Sequence, residues 1–393
     1  MNCLKMNFSL ECIVDEVKSV LQGRTTSRGF YAVGLQFPEG LMEQAIEVCN
    51  ALEGMLKAAN GVAIEYVIFA DVLYGACNID DIGSMLMGVD VLVHFGHSKI
   101  VPTSLVDVIY VPVIDTRGSA TVIANGLMNM CRTHSYKTVG LVTTAQFAAC
   151  LLHVQPILDD RGSKISIVGE EQSPLPKYEI LGCTCKKFPP GTDAVVSVVD
   201  GDFHYEAACL SNSHLPAYRL SPVTGVYESI RYDTHSKINS RLKIIRECAE
   251  ALTELLNRPV QDFAGGFSGK RVGVVFGTLG RQGSPIVFET LLNKLRSLCV
   301  PIKVLSLSEV LPHYLLPHKD VLFFAQLACP RLTIDWDEEI SACGLVMVNY
   351  YELDKILDLC LKKEGCNDLE DYALVNFTRD GHRELCYYGR PTV

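Results

Sequence analysis

The sequence predicts an α/β protein made of three similar units, each a parallel sheet covered by helices. Three observations predict it. Apolar runs of strand length alternate with stretches of helical periodicity along most of the 393 residues. A Val-Gly pair recurs in the middle of three of those runs, at residues 31–36, 137–142 and 270–275. Each of the three is followed downstream by a cysteine: Gly34 and Cys77, like Gly140 and Cys183, are 43 positions apart, and Gly273 and Cys329 are 56 apart.

The elements follow in order. A helix is expected over residues 10–21. After the first Val-Gly run, residues 41–59 place Leu41, Ala45, Ile46, Leu52 and Leu56 at helical spacing; residues 285–298 do the same after the third. A second apolar segment then precedes each cysteine, YVIFADVLYGAC, YEILGC and DVLFFAQLAC. A third follows it, VDVLVHF, TDAVVSVV and CGLVMVNY. The unit reads strand, helix, strand, cysteine loop, helix or turn, strand, with the three cysteines at equivalent places. Continuous apolar strands of this kind belong to parallel sheets buried on both faces. Loops after the carboxyl ends of such strands are where α/β folds place their sites.

The units divide the chain into three α/β domains: 1–120 with the Cys77 loop, 121–225 with the Cys183 loop, and 226–393 with a linking helix and the Cys329 loop. The strand VIYVPVID closes the first, and the second ends near Pro222. The linking helix spans about 235–257, where Ile238, Leu242, Ile245, Ala249, Leu252 and Leu256 form one stripe. AGGFSG, at 264–269, reads as a flexible joint.

Composition bounds the function. With 48% hydrophobic and 20% charged residues the chain has ample core, which excludes a disordered protein. Its 35 basic against 45 acidic residues, a net charge of −10, argue against binding nucleic acid by phosphate neutralisation and against a polybasic membrane patch. No apolar run approaches the roughly 18 residues of a membrane span. The N-terminus turns acidic where a secretion signal would be apolar. A soluble cytoplasmic protein is expected.

Sixteen cysteines, scattered from Cys3 to Cys386, are many for such a chain. In a reducing compartment they are not a disulfide framework, and there is no CxxC. Most should be small core residues. Three on converging loops are a candidate metal ligand set. A 4Fe–4S cluster ordinarily takes four thiolates, so three would leave one iron open, as catalytic zinc keeps an open position. Zinc is the competing metal, but His94 and His97, at a strand end, lack ligand-like spacing and read as hydrogen-bonded structural residues.

YGACNIDD (74–81), LGC (181–183), GTLGRQGSP (277–285) and QLACPRLTIDW (326–336) resemble the diphthamide synthase family. LQFPEGL, LVHFGHSKIVPT, DGDFHYEA and PAYRLSP agree in family order, so the resemblance covers about 27–340. It is closest to subunit 1 of the family's eukaryotic heterodimer. It implies three α/β domains in a triangular arrangement around a central 4Fe–4S cluster, held by Cys77, Cys183 and Cys329. The implied activity is that of a 2-(3-amino-3-carboxypropyl)histidine synthase, a non-conventional radical enzyme using S-adenosylmethionine. It transfers the 3-amino-3-carboxypropyl group to the imidazole C2 of a histidine in elongation factor 2, the first step of diphthamide synthesis. The implied partners are a paralogous subunit 2, elongation factor 2, and a small electron-donor metalloprotein with its reductase. The alternatives are a scaffold or electron-relay subunit of the same heterodimer and a zinc hydrolase.

Other residues suit that chemistry. Gly75 and Gly182 precede ligands, and Pro330 stiffens the third loop. Gly277, Arg281 and Gln282 form a loop at a strand's carboxyl end. Arg281 and Arg331 carry guanidinium forks that match a cofactor carboxylate. Gln36 and Glu39 occupy the comparable first turn. Asp80 and Asp81 should cap a helix after the cysteine loop. Two departures from the family pattern matter. Asn78 stands where many relatives have a second cysteine, and Cys185 offers an alternative register to Cys183.

Overall fold

The computed structural model describes residues 6–70, 75–101, 103–169, 175–257 and 269–361. Most of the expected joint at 264–269, the segment beyond 361 and Tyr74 lie outside the described residues. The chain forms two compact units. The first comprises Met1–Leu181, Phe188–Tyr205 and Leu215–Ile230; the second comprises Gly182–Lys187, Glu206–His214 and Arg231–Val393.

The first unit holds two five-stranded sheets. In one, the strands run Ala58–Ala59, Val62–Phe69, Phe30–Gln36, Val91–Phe95, Asp107–Val111, parallel except at the short first edge. Helices Leu10–Leu21 and Ala45–Met55 cover it, burying Ile13, Val17, Val48 and Leu52 against Val33, Leu35 and Val93. In the other the order is Tyr227–Ser229, Ala217–Leu220, Ala194–Val198, Thr138–Thr143, Ser166–Val168, with only Tyr227–Ser229 antiparallel. That last strand carries the sheet past Pro222 and residue 225 to Ser229. The second unit holds a four-stranded, fully parallel sheet: Ile302–Leu307, Arg271–Gly277, Val321–Leu327, Met347–Asn349. Among the described residues no helix is long and apolar enough to cross a membrane.

The Val-Gly strand is interior in all three sheets, and its glycine has one physical reason. A Cβ on Gly34 would meet the Phe69 ring at 2.8 Å, on Gly140 the Phe188 ring at 2.6 Å, and on Gly273 the Phe324 ring at 2.5 Å. Each glycine leaves room for an aromatic ring laid across the strand. The interior strands are buried on both faces, as at Val91–Phe95 and Ala194–Val198.

The cysteines are not all equivalent, contrary to the expectation. Cys77 and Cys183 follow the first strand to pair with their Val-Gly strand, Val62–Phe69 and Ser166–Val168. Cys329 follows the second such strand, Val321–Leu327, the first being the edge strand Ile302–Leu307. That extra strand accounts for the longer spacing from Gly273. YEILGC is no regular strand either; it makes isolated bridges, one of them parallel from Glu179 to Thr143. Two helices also differ in detail. Residues 41–59 form a 3-10 turn, Glu39–Gln44, then the helix Ala45–Met55, and Ile46 is 69% exposed. The linking helix, Thr234–Leu256, buries Ile245, Ala249 and Leu252, but also Arg241. Arg241 reaches Glu352 and Asp337 and donates to the Met347 carbonyl, so its charge is fully compensated inside the core.

Candidate functional site

In the first unit, Cys77 is buried on a tight turn, closed by the Asn78 N–H donating to the Gly75 carbonyl at 3.1 Å. Gly75 sits at φ 85°, a conformation that favours glycine. Gln36, at the carboxyl end of Phe30–Gln36, holds this turn. Its amide NH2 donates to the Asn78 carbonyl at 2.8 Å, and its Oε1 accepts from the Asp80 N–H at 3.3 Å. The same Oε1 meets His94 Nδ1 at 2.9 Å, and His94 Nε2 meets His97 Nδ1 at 3.1 Å. Burial pushes His94 down to about 3 and, with the His204 charge, His97 to about 4. Both are neutral hydrogen-bonding residues at pH 7. Asp80 caps the helix Asp81–Leu86 through the Gly83 N–H at 2.8 Å. Glu39 is exposed, in the first turn after the strand.

In the second unit, the Cys183 and Cys329 segments come together. Burial and the neighbouring Cys183 push the Cys329 thiol up to about 12, while the Arg331 backbone N–H and guanidinium act in the opposite direction. Arg331, only 3% exposed, ties the two loops. Its Nη1 donates to the Gly182 carbonyl at 2.8 Å, its Nε to Asp335 at 3.0 Å, and its Nη2 to Glu206. Two carboxylates thus already occupy the guanidinium. Gln326 braces the Cys329 loop: its NH2 donates to the Cys329 carbonyl at 2.9 Å and its Oε1 accepts from the Ala328 N–H at 2.7 Å.

The glycine-rich loop lies beside it. A Cβ on Gly277 would meet the Ala328 Cβ at 2.5 Å, so the bare backbone lets this loop approach the residue before Cys329. Arg281 and Gln282 follow, half-buried, and Ser284 caps the helix Pro285–Ser297.

Cys185 is a core thiol. It is fully buried against Asn212 and the Lys186 carbonyl, and burial and Cys209 raise its pKa. Cys131, Cys209 and Cys248 are buried thiols pushed up by the same cause. Cys183 is partly exposed. Within neither unit do three His, Cys, Asp or Glu side chains among the described residues gather to hold a metal.

Sequence reasoning did not assign a role to Gln326, Glu206 or Asp335. Each lies inside a quoted motif, but their partners are 2 to 125 positions away.

A sequence model of the diphthamide synthesis protein family matches residues 37–367. The chain belongs to that family. It is 35% identical over 328 residues to a chicken (Gallus gallus) protein named 2-(3-amino-3-carboxypropyl)histidine synthase subunit 1, covering 81% of this chain and 71% of that one. It is 37% identical to the mouse (Mus musculus) protein of the same name, covering 77% of this chain and 64% of that one. The match thus spans about two thirds of these relatives' length. In fold it is similar to the structure of Dph2 from Pyrococcus horikoshii with a 4Fe–4S cluster. The TM-score is 0.64 at 20% identity, covering 90% and 91% of the two chains.

Proposed function

We propose that this member of the diphthamide synthesis family transfers the 3-amino-3-carboxypropyl group of S-adenosylmethionine to the imidazole C2 of a histidine in elongation factor 2. The observation that carries the reading is the Arg331 tie, which brings the partly exposed Cys183 and the Cys329 loop into one place. Cys77, assigned from its sequence motif YGACNIDD, would be the third protein thiolate. A 4Fe–4S cluster held by Cys77, Cys183 and Cys329 would supply the electron that cleaves the sulfonium bond, with one iron open to the cofactor.

The chain's own residues position and enclose. Gly277, Arg281 and Gln282 present a half-buried loop next to the Cys329 segment, and Arg281 offers its fork to the cofactor carboxylate. Arg331, with its carboxylates in place, fixes the loops rather than meeting the cofactor. Glu39 stands exposed in the first turn after the strand that ends at Gln36, and this reading assigns it to the cofactor's polar groups. Holding the reacting centres in one geometry is the main contribution available to such a site. The partners in this reading are a paralogous second subunit, a small electron-donor metalloprotein with its reductase, and elongation factor 2, in the cytoplasm.

The test is anaerobic incubation of the full chain with S-adenosylmethionine and dithionite, alone and with the partner subunit. Release of aminobutyrate-type products, and label transfer to elongation factor 2, is the expected result. Products that require only the partner's cysteines would make this chain a scaffold subunit.

A further inference from the structure

We propose that Gln36 and Gln326 are paired positioning residues, each a strand-end glutamine whose side-chain amide clamps a cysteine loop in its ligating shape. Each amide is used at both ends. Gln36 donates to Asn78 and accepts from Asp80, bracketing the residues after Cys77. Gln326 donates to Cys329 itself and accepts from Ala328, bracketing the residues before it. Both are buried, at 2% and 0% exposure, where an unpaired loop amide would be costly.

Internal duplication does not account for the pair. Gln36 lies on the Val-Gly strand of its sheet and reaches across to the loop that follows Val62–Phe69. Gln326 lies on the third strand of its sheet and holds its own loop. The same device on non-equivalent strands points to a shared demand of the cysteine loops. A third glutamine makes the same pair of bonds without touching a cysteine loop: Gln155 donates to the Ile165 carbonyl at 3.2 Å and accepts from the Ile167 N–H at 2.9 Å. It provides a matched control.

The inference rests on the cluster reading only for its consequence; the clamps themselves can be tested in cluster-free protein. Gln36→Leu, Gln326→Leu and Gln155→Leu full chains are purified anaerobically. Amide hydrogen exchange is measured without cluster, then iron content and the electron paramagnetic resonance spectrum after reconstitution and reduction. The expected result is at least tenfold faster exchange confined to residues 75–80 in Gln36→Leu and to 328–331 in Gln326→Leu. Both should also show a broadened or shifted resonance and lower iron, with Gln155→Leu unchanged in both loops and in the spectrum. Wild-type exchange and spectra in the Leu variants would overturn the proposal. If a Leu variant fails to fold, the isosteric Gln→Glu keeps the acceptor and loses the donor, and the same local loosening is expected. Global unfolding of both versions would overturn it too, by assigning the glutamines to the fold. Failure of the wild-type chain to bind iron would instead sink the cluster reading and leave the exchange result standing.

Discussion

Arg331 donates through Nη1 to the carbonyl of Gly182, the residue before Cys183, while its own backbone N–H points at the sulfur of Cys329. One residue thus sets two candidate ligand loops against each other across 149 positions of sequence. Its guanidinium is neutralised by Asp335 and Glu206.

Arg331→Met should therefore act on site geometry and on stability together. It leaves two carboxylates without their cation and the Gly182 carbonyl without its donor. A loss of about 2–4 kcal/mol is expected, since removing one member of a buried pair strands the others. Chemical denaturation checks it. A midpoint within error of wild type would show that the tie is dispensable.

Arg241 makes the corresponding structural case. Its side chain is 1% exposed, against 0% for Glu352 and 11% for Asp337. Arg241→Ala should cost about 3–5 kcal/mol, and Glu352→Gln less, because the amide keeps an acceptor. A joint replacement of the triad by apolar residues of similar volume is expected to recover much of the loss.

Gly273→Ala drives a methyl into the Phe324 ring and should destabilise by roughly 1–3 kcal/mol. The double variant with Phe324→Leu should recover part of that, as should the pair Gly140→Ala with Phe188→Leu. Additive losses in both double-mutant cycles would contradict the ring-seat explanation of the Val-Gly repeat.

The repeated glycines, the N-terminal helix and the cysteine segments were legible because their signals are local. The edge strand Ile302–Leu307 was not: its faces alternate and Val304 is 48% exposed, so it forms no continuous apolar run. Residues 178–183 looked like a strand by composition, yet Tyr178 stands at φ 71° and breaks it. Arg241 carries no local signal of burial, because a charge on a helix is ordinarily solvated; only its distant carboxylates explain it. Gln36 was legible as a turn residue. Its bond to Asn78, 42 positions away, and the His94–His97 chain behind it are tertiary facts.

That chain makes the first unit sensitive to acid. His94 and His97 titrate near 3 and 4 in the fold, against 6.5 unperturbed. Between those values the unfolded chain binds more protons, so stability falls as pH drops below about 6.5. Thermal melting should shift down between pH 7.5 and 5.5, and His94→Gln should flatten the dependence. An unchanged slope in the variant would remove His94 from the account.

The central claim is that Cys77, Cys183 and Cys329 together hold one cluster. Iron and sulfide quantification on anaerobic full-length protein tests it most directly. About four irons per wild-type chain are predicted, with loss in each of Cys77→Ala, Cys183→Ala and Cys329→Ala and retention in Cys185→Ala, Cys209→Ala and Cys248→Ala. Full iron in any of the first three, or loss in Cys185→Ala while Cys183→Ala keeps its iron, would contradict it.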